Sequence, residues 1–224
     1  MERLEFATPS GPIVFDHRKG AFLPACETLL VADLHFEKGS YLQAIGHAPL
    51  PTYDTPDTLA RLSALVDTFR PRRVAALGDS FHDIHAGERM KPDALEAMNA
   101  LVARVEDFVW ILGNHDPDIP DGLVGAREDH LECGGFLLTH HPTAPLQGDG
   151  VNVCGHLHPK VRINLRRGGT SVPCWAVSRD RIIMPSFGTF TGRLDVAHPA
   201  IADELPGARA YFATVQGRVV ALAG

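Results

Sequence analysis

No run of about 18 consecutive apolar residues occurs in the 224-residue chain, so no membrane-spanning helix is expected. The opening Met1-Glu2-Arg3-Leu4-Glu5 lacks the basic-then-apolar order of a signal peptide. There is no repeat, low-complexity tract or linker, and one domain over 1–224 is expected. Cysteine is scarce: Cys26, Cys133, Cys154 and Cys174, with no CxxC pair. Even parity alone does not establish disulfides, so the expectation is buried, reduced thiols in a cytoplasmic protein. Basic residues are outnumbered, 21 Lys+Arg against 27 Asp+Glu, for a net charge of −6. That excludes a broadly basic nucleic-acid binder, though not a local basic patch. With 45% hydrophobic and 21% charged residues the composition is that of a globular protein, not a disordered one. A chain this long buries roughly 70–75% of its unfolded surface and needs neither disulfide nor metal merely to fold. What is present in excess is histidine, with 12 copies against 3 Tyr and 2 Trp. Histidine is both a common metal ligand and the side chain that titrates nearest neutrality.

The first 25 residues read as short edge strands punctuated by Pro and Gly. Thr28–Ala32 is a continuous apolar run, which suits a strand buried on both faces. A Gly- and Pro-rich loop is expected from Gly39 to Thr55. A helix follows, with Thr55 as cap, Pro56 at its first position and Leu59, Leu62, Leu65/Val66 and Phe69 on one face. Arg73–Leu77 and Phe108–Leu112 are the next strands, separated by a helix from Pro92. Strand, helix, strand, helix, strand implies a parallel sheet with right-handed crossovers. From Gly135 onward only short strands are expected, at 136–139, 151–154, 161–165, 172–177, 181–184, 210–215 and 219–222. Together these predict an α/β fold with a second sheet packed on the first.

The residues that end these strands carry the chemistry. They are Asp33-Leu34-His35, Gly78-Asp79-Ser80, Gly113-Asn114-His115-Asp116, His140-His141-Pro142 and Gly155-His156-Leu157-His158. Parallel α/β sheets place ligands outside the carboxyl ends of their strands. Each motif alone has an ordinary explanation as a turn or a solvated histidine. Five in this order at strand ends do not. Oxygen and imidazole donors without thiolate suit Mn²⁺, Fe or Zn²⁺. The donors are too many for one open catalytic site and about right for two metals sharing a carboxylate.

This constellation resembles the calcineurin-like metallophosphoesterase superfamily, over Asp33 to His158. The resemblance implies two mixed β-sheets packed as a sandwich flanked by helices. It also implies two divalent cations, with Mn²⁺ expected first. Carried over by motif, Asp33, His35, Asp79 and His158 would hold one metal. Asp79, Asn114, His140 and His156 would hold the other. His140 is preferred to His141 as the first histidine after its strand. Such a pair would bind phosphodiester oxygens and lower the pKa of a bridging water, whose hydroxide attacks phosphorus. His115 is then the candidate acid for the leaving group, with Asp116 orienting it and raising its pKa. Asn114, His82 and Arg162 are the candidate substrate-binding residues.

The stretches Leu30–Lys38, Gly78–His82, Gly155–Pro159 and Met184–Gly192 are further similar to the bacterial ligase-associated DNA-damage-response phosphoesterases. That likeness implies a cytoplasmic enzyme acting on DNA or a nucleotide, in association with a DNA ligase and a helicase. Lys160, Arg162, Asn164 and Arg166 alternate with Val161, Ile163 and Leu165, so a strand there presents its basic set on one face. The strip either tracks phosphates or is simply a solvent face. His17, His47, His85, His130 and His198 read as surface residues, and Lys38 as a solvated lysine. Phe187 and Phe190 stack on a base or pack in the second sheet. A phosphomonoesterase, a nucleotide pyrophosphatase and a non-catalytic scaffold remain as alternatives. The scaffold reading is disfavoured because His115 and every ligand are present.

Overall fold

The computed structural model describes residues 1–47, 53–144, 146–165 and 168–223. Its first sheet runs in sequence order. The strands are β1 (Arg3–Thr8), β2 (Gly11–Asp16), β3 (Ala21–Leu23), β4 (Thr28–Val31), β5 (Arg73–Leu77), β6 (Asp107–Ile111) and β7 (Ala126–Glu128). β1 to β4 pair antiparallel, and β4 to β7 pair parallel. The crossovers carry α1 (Lys38–Ala44), α2 (Asp54–Phe69), α3 (Ala86–Arg89) and α4 (Pro92–Val102). The second sheet comprises β8 (His130–Cys133), β9 (Phe136–Thr139), β10 (Val151–Cys154), β11 (Pro159–Leu165), β12 (Gly168–Val177) and β13 (Arg181–Ile183). It is completed by β14 (Leu194–Asp195), β15 (Ala210–Val215) and β16 (Arg218–Ala223), with the short α5 (Pro199–Ala202) between β14 and β15. β9, β10 and β13 are parallel and the hairpins antiparallel, so both sheets are mixed, as expected.

Three apolar layers hold the sheets. Between them Phe15 stacks on Trp175 at 4.8 Å and meets Phe212 at 5.0 Å, inside a cluster drawn from both sheets. On the outer face of the first sheet, Leu62, Leu65 and Met98 from α2 and α4 cover Leu29, Val74 and Trp110. On the outer face of the second, Ile201 and Leu205 cover Cys174, Ala176 and Ile183. The strands between such layers are apolar on both faces, which is why β4, β5 and β6 read as continuous runs rather than alternations.

Three expectations are corrected. The loop from Gly39 to Thr55 contains α1, and its residues 48–52 lie outside the described ones. α1 has no side-chain cap. One tertiary and one local bond hold it instead: the Gly39 N–H donates to buried Asp54 at 2.8 Å, and Ser40 Oγ to the Glu37 carbonyl at 2.8 Å. α2 starts at Asp54, so Thr55 is helical rather than a cap, and its hydroxyl donates to Glu37 Oε1 at 3.0 Å. Pro56 then sits in the first turn, where its missing N–H still has no helical partner to lose. Finally, Cys26 and Cys133 are joined in a disulfide, while Cys154 and Cys174 are free and buried as expected. The bridge ties a 3-10 turn before β4 to the end of β8, so it links the two sheets. Among the described residues no helix is long and apolar enough to cross a membrane.

Candidate metal centre

The carboxyl ends of β4, β5, β6, β9 and β10 meet at one edge of the sandwich. Backbone bonds fasten their loops together: Asp33 N–H to Gly78 O at 3.2 Å, His35 N–H to Asp79 O at 2.9 Å, and Gly155 N–H to His140 O at 3.1 Å. Glycines leave room for the approach. A Cβ at Gly78 would lie 2.3 Å from His140 Nδ1, one at Gly113 2.3 Å from Asp79 Oδ1, and one at Gly155 2.6 Å from Asp33 Oδ2. Asp33, His35, Asp79, His156 and His158 all take left-handed backbone angles, with φ between 45° and 68°.

Two donor groups result. In the first, Asp33, His35 and His158 offer ligand atoms within 4.8 Å of one another. The His158 Nδ1–H donates to Gly192 O at 2.8 Å, which leaves its Nε2 as a lone pair. That Nε2 faces Asp33 Oδ1 at 3.2 Å without a hydrogen bond. His35 Nδ1 meets His82 Nδ1 at 3.3 Å, and His35 Nε2 is likewise buried with no partner. In the second group, the His140 Nδ1–H donates to Leu77 O at 3.0 Å. Its Nε2 then faces Asn114 Oδ1 at 3.1 Å, Asp79 Oδ1 at 3.3 Å and His156 Nδ1 at 3.3 Å. In the first group the two unpartnered Nε2 atoms call for a cation, and in the second a proton on His140 Nε2 holds the place that a cation would take. A divalent ion bound by oxygen and imidazole fits both positions.

The electrostatics agree. Burial alone would lower His140, but the Asp79 hydrogen bond and the charges of Asp33 and Asp79 push it up to about 9. Burial would raise Asp79, yet His140 holds that carboxyl well below the usual range. Burial and neighbouring His158 drive His35 down to about 2, so its imidazole stays neutral. Asp33 belongs to the group with His35 and His158 and to one with Asp79 and His140, so Asp33 is the carboxylate that the two groups share.

His115 lies exposed at the mouth. Its backbone N–H donates to Asp79 Oδ1 at 2.9 Å, and its ring stacks on His82 at 5.3 Å. His82, half-buried, thus joins the site. Asp116 does not orient His115 as expected. It is buried, its two oxygens accepting the Gly113 N–H at 3.0 Å and the Phe81 N–H at 3.1 Å, and burial pushes it up to about 7. Its work is to brace the two loops that carry Asp79 and Asn114. His141 is exposed at the rim, its ring 4.2 Å from that of His156, and it too offers a ligand atom within 4.8 Å of those of His140 and His156. Arg162 is exposed on β11, lying across Gly169, while Arg166 is outside the described residues. Phe187 is buried beneath the Arg61 guanidinium at 4.6 Å, which settles it as packing, and Phe190 meets Tyr53.

Sequence reasoning missed two features. Lys38 is half-buried beside His35 and His82, and burial lowers its ammonium. Lys19 is also drawn inward, donating to the carbonyls of Ser186 and Phe187 at 2.8 and 2.7 Å. Those bonds pin the loop whose Phe187 and Gly188 N–H groups donate to Ala32 O and Asp33 O. Neither role has a periodicity that would reveal it.

A sandwich of two mixed sheets with carboxylate and imidazole ligands at one edge defines a metal-dependent phosphoesterase. The sequence profile of the calcineurin-like phosphoesterases matches residues 27–169, and the chain belongs to that family. No curated protein sequence matches it significantly. Among solved structures it is similar to the Pseudomonas putida nuclease MPE, with 25% identity over 98% of this chain and 100% of that one and a TM-score of 0.76. It is also similar to Yfce, a phosphoesterase from E. coli, at 15% identity over 88% of this chain and 98% of that one, with a TM-score of 0.43.

Proposed function

We propose that the chain is a dinuclear phosphodiesterase that acts on nucleic acid in DNA repair. The observation that carries this reading is the cluster of adjacent donor groups at one sheet edge, in which the buried Nε2 atoms of His35 and His158 have no hydrogen-bond partner. Asp33, His35, Asp79 and His158 would hold one cation, and Asp79, Asn114, His140 and His156 the other, with Mn²⁺ the expected metal. When bound, the pair supplies positive charge against phosphate oxygens and lowers the pKa of a water. The chain's own residues do the rest. His115, free of metal at the mouth, donates a proton to the leaving oxygen, and its stack on His82 and backbone bond to Asp79 fix its position. Asn114 and His82 contact the bound phosphate. Arg162 lies four residues beyond His158 along an extended strand, about 13 Å away. It would meet a phosphate further along a polynucleotide. The likeness to a nuclease over nearly the full length of both chains supports a nucleic-acid substrate.

In this reading residues 1–224 work as one domain in the cytoplasm, beside a DNA ligase and a helicase. The cluster shared by both sheets supports a single unit. The test combines metal analysis with turnover of bis(p-nitrophenyl) phosphate and p-nitrophenyl phosphate in Mn²⁺. Two bound ions and faster turnover of the diester are expected. His115→Ala should keep both ions and lose about 10²–10⁴-fold in rate on esters with poor leaving groups. An unchanged rate on such an ester would remove His115 from the reaction.

A further inference from the structure

The two flanks of the metal centre differ in charge. On the His35 and His158 side stand Lys38 and Arg162. Lys38 is half-buried and has no carboxylate partner among the described residues, so an incoming anion would relieve its desolvation. On the His140 side a cleft of about 400 Å³ opens directly beside His140 and His141. Leu112, Leu137 and Leu146 form its apolar lining. Asp129, His130 and Glu132 stand exposed along it, and neither carboxylate has a hydrogen-bond or ion-pair partner among the described residues.

A phosphate chain cannot favourably run past two unpaired carboxylates. An uncharged group can, and one bearing N–H donors gains hydrogen bonds there. Apolar walls, a nearby imidazole face and carboxylate acceptors are the chemistry that recognises an aminated nucleobase. The volume is that of an ordinary small-molecule site. We propose that this cleft is a nucleobase subsite, in which the base packs on the leucines and Asp129 and Glu132 accept hydrogen bonds from its exocyclic amino group. The inference rests on the phosphodiesterase reading and adds a direction to it: the phosphate chain leaves over Lys38 and Arg162, and the base enters beside His140. Cytosine, adenine and guanine present amino donors that uracil and thymine lack, so a preference among bases follows.

Calorimetric binding of cytidine monophosphate, uridine monophosphate and ribose 5-phosphate to the Mn²⁺-loaded protein tests it, because the three share one phosphate. The cytidine nucleotide should bind at least about tenfold tighter than ribose 5-phosphate, and tighter than the uridine nucleotide. The double substitution Asp129→Ala, Glu132→Ala should bring it to within about twofold of ribose 5-phosphate. Both carboxylates are exposed and unpaired, so an unchanged melting temperature is expected. Equal binding of cytidine monophosphate and ribose 5-phosphate by the native protein, or a gap that survives the double substitution, would overturn the subsite. Repeating the titrations without Mn²⁺ checks the metal reading separately. All three ligands should weaken together, and metal-independent binding would sink that reading while leaving the base comparison intact.

Discussion

Substituting Gly78 by alanine should damage one metal position far more than it damages the fold. Gly78 has φ +75°, and an L residue held there costs about 1–2 kcal/mol. The new Cβ would also lie 2.3 Å from His140 Nδ1 and 2.4 Å from its Cγ. Ordinary carbon contacts begin near 3.5 Å, so the ring must retreat by about 1 Å. That movement breaks the 3.0 Å bond from Nδ1 to Leu77 O, worth about 1 kcal/mol. It also carries Nε2 out of the cluster of Asp79, Asn114 and His156. The expected loss of stability is therefore about 2–3 kcal/mol, read by urea unfolding. Affinity for the second Mn²⁺ should fall about 10–100-fold, the usual consequence of losing the group that orients a ligand. Gly207→Ala is the control: it shares the backbone strain at φ +80° but meets nothing within 4 Å. It should cost the strain alone and leave metal binding intact. Gly78→Ala binding two Mn²⁺ as tightly as Gly207→Ala would refute the assignment of His140 Nε2 as a ligand atom.

The Cys26–Cys133 bridge closes a span of 107 residues, so its reduction should cost about 4–5 kcal/mol. Cys26→Ser should show the same loss and no further response to dithiothreitol, and an unfolding midpoint indifferent to reductant would count against the link. Asp116→Ala strands two backbone donors at about 1–3 kcal/mol each, with Asn restoring part of the loss in urea unfolding. Because burial raises Asp116 to about 7, its contribution in the metal-free protein is largest below pH 4 and declines as the pH rises through 7. His140 behaves as a raised base. In the metal-free protein its contribution is full below pH 6.5 and is lost as the pH rises through about 9. Metal must displace that proton, so Mn²⁺ affinity at this position should fall about tenfold per pH unit below 9. Calorimetry in buffers of different ionisation enthalpy should then register proton release at pH 7.5, and its absence would argue that His140 is neutral.

Much of the site was legible because strand ends are marked twice, by the close of an apolar run and by a polar donor directly after it. β9 shows this well: Phe136–Thr139 is wholly buried, and His140, the next residue, is the imidazole that turns inward while His141 stays at the rim. What sequence could not show depends on partners distant in the chain. α1 has no side-chain cap or stripe and exists because Asp54, on the next helix, binds its Gly39 N–H. Cys26 and Cys133 meet only because the sheets stack. Asp116 looked like a partner for its neighbour His115, but the turn points its carboxylate back at Gly113 and Phe81. Lys38 was read as solvated because burial by a tertiary neighbour leaves no periodic trace.

The left-handed backbone at five of the candidate ligands limits which residues could ever replace them. Asp, Asn and His are the side chains most enriched at positive φ, whereas β-branched or bulky residues there are outliers. The donor set at Asp33, His35, Asp79, His156 and His158 is thus selected by the peptide as well as by the ion. Exchanging these donors to suit a different metal would require rebuilding the loops, so variation among proteins sharing this frame should collect in the walls of the clefts rather than at the ligands.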